Sequence, residues 1–378
     1  MREAPDENED SRERAAWLRL TLTPGVGPAT ARELLKTCGL PAAIFDAGVD
    51  SLSRVVGAEL ARTLARAPAD DIARTIDATH AWLAADARRF LLTLADPDYP
   101  PLLLATTDPP PVLYGIGERA LLAAPMLAIV GARSSTRQGE ATASAFADHL
   151  ARAGLGIASG MARGIDAAAH EGALKARAAG AAGSTVAVVG TGADIVYPDA
   201  HRKLAAAIGA HGLVLSEFAI GTPPLAHNFP RRNRILAGLA RGVLVVEAAL
   251  RSGSLITARL AGELGREVFA IPGSIHSPLA RGCHRLIRDG AKLVESAQDV
   301  LEELRIEASV AAGASGAPAN LSPEHAALLA AIGHDPVDAD TLCQRTGADA
   351  GALTAALLEL ELAQHIERLP GNRYQRLR

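Results

Sequence analysis

The sequence predicts an α/β protein built on a Rossmann-like, doubly wound parallel sheet, with a small all-α domain before it and a winged-helix-like domain after it. Three patterns support this prediction. Six aliphatic runs of strand length alternate with helical segments in the middle of the chain, which is typical of a sheet with helices on both faces. The segment before these runs has helical patterns, and the segment after them follows a linker rich in alanine and glycine.

Residues 13–89 are predicted to form the small helical domain, of the kind found in SAM and helix-hairpin-helix modules. A glycine-rich turn at residues 24–28 joins two helical patterns there and could present backbone N–H groups to a phosphate. The same kind of turn is also a purely structural device, and few basic residues follow it. The acidic, polar composition of residues 1–12 predicts a disordered tail.

Residues 90–305 are predicted to contain the sheet. They begin with a proline-rich stretch holding two short strand candidates, which suit an edge or a connector because proline lacks a backbone N–H. The six buried strands predicted after it are the runs MLAIVGA, GLGIASG, STVAVVGTG, GLVLSEF, GVLVVEA and REVFAIPG. The segments KLVES and AQDVLEEL are predicted to add one more strand and a closing helix.

The loops after the first five of these strands are predicted to form the functional site. Ligands bind open parallel sheets outside the carboxyl ends of the strands, so these loops should converge on one crevice. The loops are rich in glycine, serine and arginine, which favour the approach of an anion to the backbone. They comprise residues 131–135, 159–166, 190–194 and 216–218, and Glu247 together with 251–254.

A further basic element lies between the fourth and the fifth of these loops, where Arg231, Asn233 and Arg234 enter a helix whose other residues are mainly apolar. Fixed cations beside the free N–H groups of a helix start favour anions, most naturally phosphates. Glu217 and Glu247 at strand ends could orient such arginines, since a carboxylate beside an arginine is more often a structural partner than an acid catalyst.

Two polar residues lie in the helix predicted after the second strand. Asp166 near the start of that helix could cap it, stabilise its dipole or pair with Arg163. His170 could line the crevice, but completing a buried helical face is the simpler interpretation of its position.

The charge distribution favours a polyanionic ligand for the middle of the chain. Residues 126–300 carry 19 lysines and arginines against 13 acidic residues, whereas residues 1–125 carry 13 against 18 and residues 301–378 carry 6 against 11. Such a split is expected if the central domain alone meets phosphates. Chance fluctuation in a chain rich in arginine is the competing explanation.

Several kinds of site are missing from the sequence. GARSS differs from the GxGxxG fingerprint, and neither GxxxxGK[ST] nor GxSxG occurs. Cys38, Cys283 and Cys343 form no CxxC pair, so we expect neither a metal nor a cofactor. With no apolar run of membrane length and no apolar signal core at the N-terminus, we expect a cytoplasmic protein without membrane contact.

Residues 306–322 are predicted to be a flexible linker and residues 323–378 a winged-helix-like domain. The second helix of that domain carries Glu359 and Glu361 where a DNA reader would normally carry lysine or arginine. Docking to protein is therefore favoured over groove binding. The predicted helix pair and wing hairpin comprise residues 338–347, 349–362, 366–369 and 374–377.

An ordered set of short motifs then connects this chain to a known family. The motifs are GxR-S, SGxARGID-AH, VVGTG-DIVYP, SEF, FPxRNRI-AGL, GVLVVEA-xSGSLxTA, GREVFA-PG and GCH-LI-GAKLV. Together they resemble the DNA-processing protein A (Smf) family over residues 90–305. The resemblance implies a protein that binds single-stranded DNA, protects incoming strands during natural transformation and loads the recombinase RecA onto them. It implies no covalent catalytic step.

The resemblance also implies roles for particular residues. Arg133 resembles the family's phosphate-binding arginine, Phe229 offers a face for base stacking, and hydroxyl groups add donors. A self-complementary apolar patch, which would also serve RecA docking, implies a homodimer. The implied DNA-binding residues are Gly131, Arg133, Ser134, Ser135, Ser159, Gly160, Arg163, Phe229, Arg231, Asn233, Arg234, Ser252, Ser254 and Thr257, and the implied dimer residues are His284, Ile287 and Leu293.

The alternative is an enzyme or carrier that uses the same crevice. Nucleotide phosphoribohydrolases and nucleotide-binding or cofactor carriers resemble this architecture and bind a nucleoside phosphate in the equivalent place. The hydrolases place a catalytic glutamate within a PGGxGTxxE loop, where this chain has LRSGSLITARLAGE after Glu247. That departure favours holding a strand over cleaving a nucleotide.

Overall fold

A computed structural model describes residues 7–306, 322–333, 335–363 and 365–377. Within them, a helical N-terminal part precedes a large α/β part, and a small part with three helices and three short strands follows. The α/β part is Rossmann-like, as the sequence predicts. No helix of the described residues has the length and apolarity that crossing a membrane requires.

The N-terminal part consists of packed helices with Trp17, Leu18 and Leu20 of the first helix buried. The predicted tail is wrong for residues 7–12, which belong to that helix, while residues 1–6 lie outside the described residues. The buried side chains hold the second half of that helix against the rest of the protein. The helices are α1 (Glu7–Leu22), α2 (Pro28–Cys38), α3 (Pro41–Asp46), α4 (Val49–Val56), α5 (Ala58–Ala65) and α6 (Asp70–Ala84).

The glycine-rich turn between α1 and α2 lies against the α/β part. Gly25 has a φ of +88°, a backbone conformation that glycine adopts without strain. Val26 and Gly27 border a small cavity of about 60 Å³ together with Glu217 and Arg231. The turn is therefore joined to the α/β part at this point.

The α/β part has one sheet of nine strands in the described residues, ordered β1-β2-β6-β5-β4-β3-β7-β8-β9. From β3 to β9 the paired strands are parallel, and β2 is antiparallel to both neighbours. The strands are β1 (Arg89–Thr93), β2 (Val112–Gly117), β3 (Met126–Val130), β4 (Gly156–Ser159), β5 (Thr185–Val188), β6 (Leu213–Ser216), β7 (Gly242–Val245), β8 (Glu267–Ala270) and β9 (Lys292–Leu293). The six predicted buried strands are β3 to β8, which confirms the predicted alternation.

The helices of this part cover both faces of the sheet. They are α7 (Pro101–Leu104), α8 (Arg137–Arg152), α9 (Ile165–Ala178), α10 (Arg202–His211), α11 (Asn228–Leu239), α12 (Ser254–Glu263), α13 (Arg281–Arg288) and α14 (Ala297–Glu303), with 3-10 turns at Arg119–Ala123 and Asp199–His201. Leu127 and Ile129 of β3 pack with residues of α8, α9 and α14, whereas Ala128 and Val130 pack with residues of α11 and α12. Alternate side chains of one strand thus fill two cores.

The proline-rich stretch differs from its prediction. It holds one strand, β2, and the short helix α7 instead of two strands. Strand β2 lies between β1 and β6 rather than at an edge. This position is possible because Pro109, Pro110 and Pro111 end just before the strand, so none of its ladder positions lacks an N–H.

The C-terminal part has the predicted winged-helix arrangement. A hairpin of two strands pairs with a third short strand in the order β10-β12-β11, and Leu328, Leu342, Leu353 and Ile366 share its core. The elements are α15 (Pro323–Ile332), β10 (Val337–Asp338), α16 (Ala339–Thr346), α17 (Ala350–Leu362), β11 (Ile366–Leu369) and β12 (Arg373–Arg376). Residues 307–321, which include nearly all of the predicted linker, lie outside the described residues.

Candidate functional site

A crevice of about 620 Å³ opens at the carboxyl ends of the central strands. The strand order reverses between β3 and β7, which is where ligands of doubly wound sheets bind. The residues that line the crevice come from the loops after β3, β4, β5 and β7, from α11 and the segment before it, and from the start of α12: Val130, Gly131, Arg133, Ala162, Asp166, Tyr197, Pro224, Ala226, Phe229, Pro230, Arg232, Asn233, Leu236, Ser252, Gly253, Ser254, Ile256 and Thr257.

Two aromatic rings and one arginine form a mixed wall of this crevice. The rings of Tyr197 and Phe229 lie 5.4 Å apart between centroids at 42°. The guanidinium carbon of Arg133 lies 5.8 Å from the Phe229 centroid, within cation–π range. Arg133 is exposed, and Tyr197 is 45% exposed. This wall offers both a cation and a stacking face to a ligand, and Tyr197 is a member that the sequence-based prediction missed.

Arg232 is the second residue that the prediction missed. It is only 4% exposed, and its Nη1 donates to the carbonyl oxygen of Val188 at 2.5 Å. Burial lowers the pKa of its guanidinium to about 10, while Asp166 opposes that change. A Cβ on Gly160 would lie 2.0 Å from Arg232 Nη1, so glycine at that position makes room for the buried cation. Arg232 therefore forms part of the crevice floor.

Asp166 is the carboxylate of the same floor, and it is 7% exposed. One of its oxygens accepts from the backbone N–H groups of Gly160 at 3.1 Å and Ala162 at 3.3 Å. Burial raises the pKa of the Asp166 carboxyl, and the charge of Arg232 opposes the rise. The positive charge that offsets the Asp166 carboxylate is therefore that of Arg232. Arg163 is exposed and has no ion pair among the described residues.

The start of α8, directly after the first central strand, holds a carboxylate of the protein itself. The backbone N–H and the hydroxyl of Thr136 donate to the two oxygens of Glu247 at 2.9 and 2.6 Å. Thr136 Oγ1 in turn accepts from Gly139 N–H and caps the helix. Glu247 thus orients a helix start and not an arginine, in contrast to its predicted role.

The start of α12 is built differently. The hydroxyl oxygens of Ser252 and Ser254 lie 2.7 Å apart, and no side chain caps Gly253, the residue before the helix. Thr257, one turn further, is 1% exposed and lines the crevice. These hydroxyl groups are the polar surface that the loop after β7 contributes.

The remaining predicted residues of the first two loops shape the site without all reaching the crevice. Ser159 is fully buried, and its hydroxyl donates to the Ile129 carbonyl at 2.6 Å, which corrects its predicted contact with DNA. The hydroxyl of Ser135 donates to Glu140 at 2.7 Å. Ser134 is exposed beside Arg133 but does not line the crevice.

Arg231 and Arg234 lie on the other face of α11, away from the crevice that Phe229 and Asn233 line. Arg234 is 13% exposed in its side chain and pairs with Glu217, whose side chain is 3% exposed. Arg231, 50% exposed in its side chain, lies 3.4 Å from the same carboxylate. The buried and paired Arg234 therefore serves the fold, the contact predicted for the exposed Arg231 stays a prediction, and the prediction that Glu217 orients arginines agrees with this geometry.

The predicted loops at residues 190–194 and 216–218 do not line the crevice either. The hydroxyl of Thr191 donates to the Ile195 carbonyl, and the hydroxyl of Ser216 donates to the Thr191 carbonyl. These bonds tie the two loops to each other. The space is instead bordered by Tyr197, further along the loop after β5, and by Pro224 and Ala226 in the segment that leads into α11.

His170 completes a buried helical face, as the simpler interpretation predicts. It is fully buried, its Nε2 accepts from Met161 N–H at 3.3 Å, and its Nδ1 therefore carries the proton and donates to Thr185 Oγ1 at 2.6 Å. Burial lowers the pKa of His170 to about 3, and the charges of Arg232 and His201 add to this effect. The imidazole holds the backbone of the loop after β4.

This burial should make stability depend on pH. The unfolded chain protonates the His170 imidazole near its ordinary pKa of 6.5, whereas the folded protein keeps it neutral down to about pH 3. Stability from this group is therefore present above pH 6.5 and is lost on acidification, by about 2 kcal/mol at pH 5. Urea unfolding at pH 7 and pH 5 should show this loss in the wild type and a smaller one in His170→Gln. An equal loss in both proteins would contradict this assignment.

The three residues predicted to form a dimer surface lie near the β9 edge of the sheet. His284 Nε2 lies 2.9 Å from the Gly273 carbonyl oxygen, and Ile287 packs partly against the core. Leu293 on β9, the edge strand of the sheet, is 44% exposed.

Comparison with known proteins gives three family matches along the chain. The family model described as DNA recombination-mediator protein A matches residues 90–305. The model of the DprA winged-helix domain matches residues 312–372, and that of a SAM-like helix-hairpin-helix tandem matches residues 18–67.

Individual relatives agree with these matches. Protein Smf of Escherichia coli is 43% identical over 315 residues, which are 81% of this chain and 82% of that protein. DNA processing protein DprA of Streptococcus pneumoniae is 46% identical over 63% of this chain and 83% of that protein. The X-ray structure of the Streptococcus pneumoniae protein has a TM-score of 0.55 at 40% identity, covering 73% of this chain and 97% of that one. A Helicobacter pylori DNA processing protein A, described for its single-stranded DNA binding mode, has a TM-score of 0.51 at 30% identity, covering 57% and 95%.

Proposed function

This chain belongs to the DNA recombination-mediator protein A (DprA/Smf) family, and from that premise we propose that it binds single-stranded DNA in the crevice at the strand ends. The observation that carries the proposal is the exposed Arg133 beside Phe229 and Tyr197 at the crevice. A cation next to stackable rings suits a strand whose bases are unpaired. The single-stranded DNA binding mode of the Helicobacter pylori relative supports the same ligand.

The residues that we propose to contact DNA are the exposed arginines of the loops after β3 and β4 and the side chains that line the crevice. Arg133 and Arg163 would meet phosphates, and Phe229 with Tyr197 would stack with a base. Asn233, Ser252, Ser254 and Thr257 would donate hydrogen bonds. Gly131 and Gly160 serve the site by leaving space, since a Cβ on either would collide with Ile165 or Arg232.

We further propose that the protein protects incoming single strands and loads RecA onto them in natural transformation or recombination, without catalysing a covalent step. A homodimer through His284, Ile287 and Leu293, with the same surface available to RecA, belongs to this proposal. The exposed Leu293 on an edge strand supports an interface there, because an open sheet edge with apolar residues favours association.

The test compares three ligands for the purified protein over a range of salt concentrations. We expect fluorescence anisotropy to show tighter binding of an oligothymidylate than of a duplex of equal length, with affinity that falls as salt rises. Nucleoside monophosphates should compete weakly, since each offers a single phosphate.

A contrary result would identify the alternative function. Preferential binding of a nucleoside monophosphate, accompanied by release of its base, would favour the nucleotide-cleaving enzyme. Equal affinity for duplex and single strand would remove the role proposed for the aromatic wall.

A further inference from the structure

The C-terminal part of the chain has two regions of opposite charge. Residues 322–363, which hold its three helices, carry one arginine against seven acidic residues. Residues 365–377, which form the hairpin of β11 and β12, carry three arginines against one glutamate. Exposed charges more than about 8 Å apart are largely screened at physiological salt. A ligand beside the hairpin therefore meets mainly its positive charge.

The hairpin contacts the α/β part at the start of α8. Glu367 of β11 pairs with Arg137, the first residue of α8, with 3.1 Å between Oε2 and Nε. The Glu367 side chain is 16% exposed, whereas that of Arg137 is 73% exposed. Arg137 follows the crevice residue Arg133 by four positions, so their Cα atoms lie no more than about 15 Å apart. The hairpin therefore lies close to the rim of the crevice.

The pairing of the two strands places Arg373 on the same face of the hairpin as Glu367. Leu369 is two positions after Glu367 and lies directly opposite Arg373. Side chains two positions apart in a strand share a face, and so do side chains directly opposite each other. Arg368 lies between Glu367 and Leu369 and therefore points to the other face. Arg373 thus belongs to the face that meets α8.

Arg373 is an exposed arginine without an acidic partner. Its Nε makes only a 3.4 Å contact with the Pro370 carbonyl oxygen, and it has no ion pair among the described residues. It stays exposed although Glu367, on the same face, is largely covered. The planar guanidinium of such an arginine suits a phosphate.

We propose that a single strand leaving the crevice passes the start of α8 and places a phosphate against Arg373 of the hairpin. This inference rests on the proposed binding of single-stranded DNA and adds a contact outside the crevice. The ion pair between Arg137 and Glu367 holds the hairpin beside the strand and neutralises the one acidic residue of the hairpin. The acidic α17 does not oppose this contact, because the backbone of a single strand is bound without a duplex groove.

The test uses fluorescence anisotropy with two oligothymidylates, a short one that fills the crevice alone and a longer one that also reaches the hairpin. Arg373→Glu should weaken binding of the longer one about tenfold, because a repulsion replaces an attraction, and should change binding of the short one less than about twofold. The matched control, Arg368→Glu, makes the same charge change on the other face and should stay within about twofold with both. Thermal unfolding verifies that each variant is folded.

Glu367→Gln tests whether the ion pair places the hairpin. Loss of the pair should weaken binding of the longer oligonucleotide, and Arg373→Glu should have a clearly smaller effect in the Glu367→Gln background than in the wild type. A gain in affinity from Glu367→Gln would overturn the proposal, since Glu367 would then compete with the strand for Arg137.

The two charge reversals of the hairpin can also contradict the proposal. Equal losses from Arg373→Glu and Arg368→Glu would show that no particular face of the hairpin meets the strand, and an unchanged affinity of Arg373→Glu would remove the hairpin from the strand altogether. In either case binding in the crevice stands, because the short oligonucleotide measures it separately. A wild-type protein that binds neither oligonucleotide would instead defeat the proposed function itself.

Discussion

Replacing Arg234 with glutamate is expected to destabilise the fold by about 3–5 kcal/mol, the range for removing one member of a buried ion pair. The Arg234 side chain is 13% exposed, and that of its partner Glu217 is 3% exposed. Its Nη1 also donates to the Asp108 carbonyl at 2.6 Å. Burial raises the pKa of the Glu217 carboxyl and the arginines oppose the rise, so a second carboxylate there would leave two acids with only the half-exposed Arg231 to compensate them.

The matched control is Arg231→Glu on the same helix. Arg231 contacts the same carboxylate of Glu217 at 3.4 Å, but its side chain is 50% exposed. Water therefore screens the change, and we expect a loss below about 1 kcal/mol. Urea denaturation monitored by circular dichroism measures both variants. Similar free energies of unfolding for the two would show that Arg234 is not the structural residue that its burial indicates.

Replacing Arg133 with alanine is expected to weaken binding of single-stranded DNA at least tenfold while leaving the unfolding transition in place. Arg133 is exposed and its guanidinium lies over Phe229, so its removal opens no cavity. Loss of one charge-assisted contact to a phosphate accounts for the fall in affinity. The slope of log affinity against log salt should also become shallower by about 0.7, the value for one phosphate of a single strand.

Arg231→Ala serves as the control, because it removes an arginine of α11 that lies outside the crevice. Its affinity should stay within about twofold of the wild type, in keeping with the small effect of distant surface changes. Anisotropy titrations at several salt concentrations provide both affinity and slope. A reversal, with Arg231→Ala impaired and Arg133→Ala intact, would place the strand on the opposite face of α11.

Much of the fold follows from patterns that are local in the sequence. Each aliphatic run from β3 to β8 is continuous because a strand covered on both faces buries every side chain. The winged-helix pattern was also predictable, since its helices begin at side-chain caps such as Asp338 and Asp349, which lie in the chain next to the residues they cap. By contrast, α7 replaced a strand candidate because Pro101 favours the first turn of a helix.

The site was predictable only in part, and helix periodicity explains which part. Phe229, Arg232, Asn233 and Leu236 line the crevice, at spacings of three and four residues that place them on one face of α11. Arg231 and Arg234 are three residues apart on the other face. The predicted anion site grouped Arg231 and Arg234 with Asn233, although residues of a helix at these spacings lie on different faces. The prediction therefore omitted Arg232. The same periodicity could have separated the two sets.

The sequence by itself determined the class of fold, the family and the position of the crevice, since all three depend on short runs and on their order along the chain. Only the tertiary structure decided which charges remain available to a ligand. That outcome depends on contacts between distant residues, such as the bond between Thr136 and Glu247, which are 111 positions apart. Burial also decides whether a charged side chain can bind a ligand. A charge that is buried with its partner stabilises the fold, whereas an exposed charge can bind single-stranded DNA.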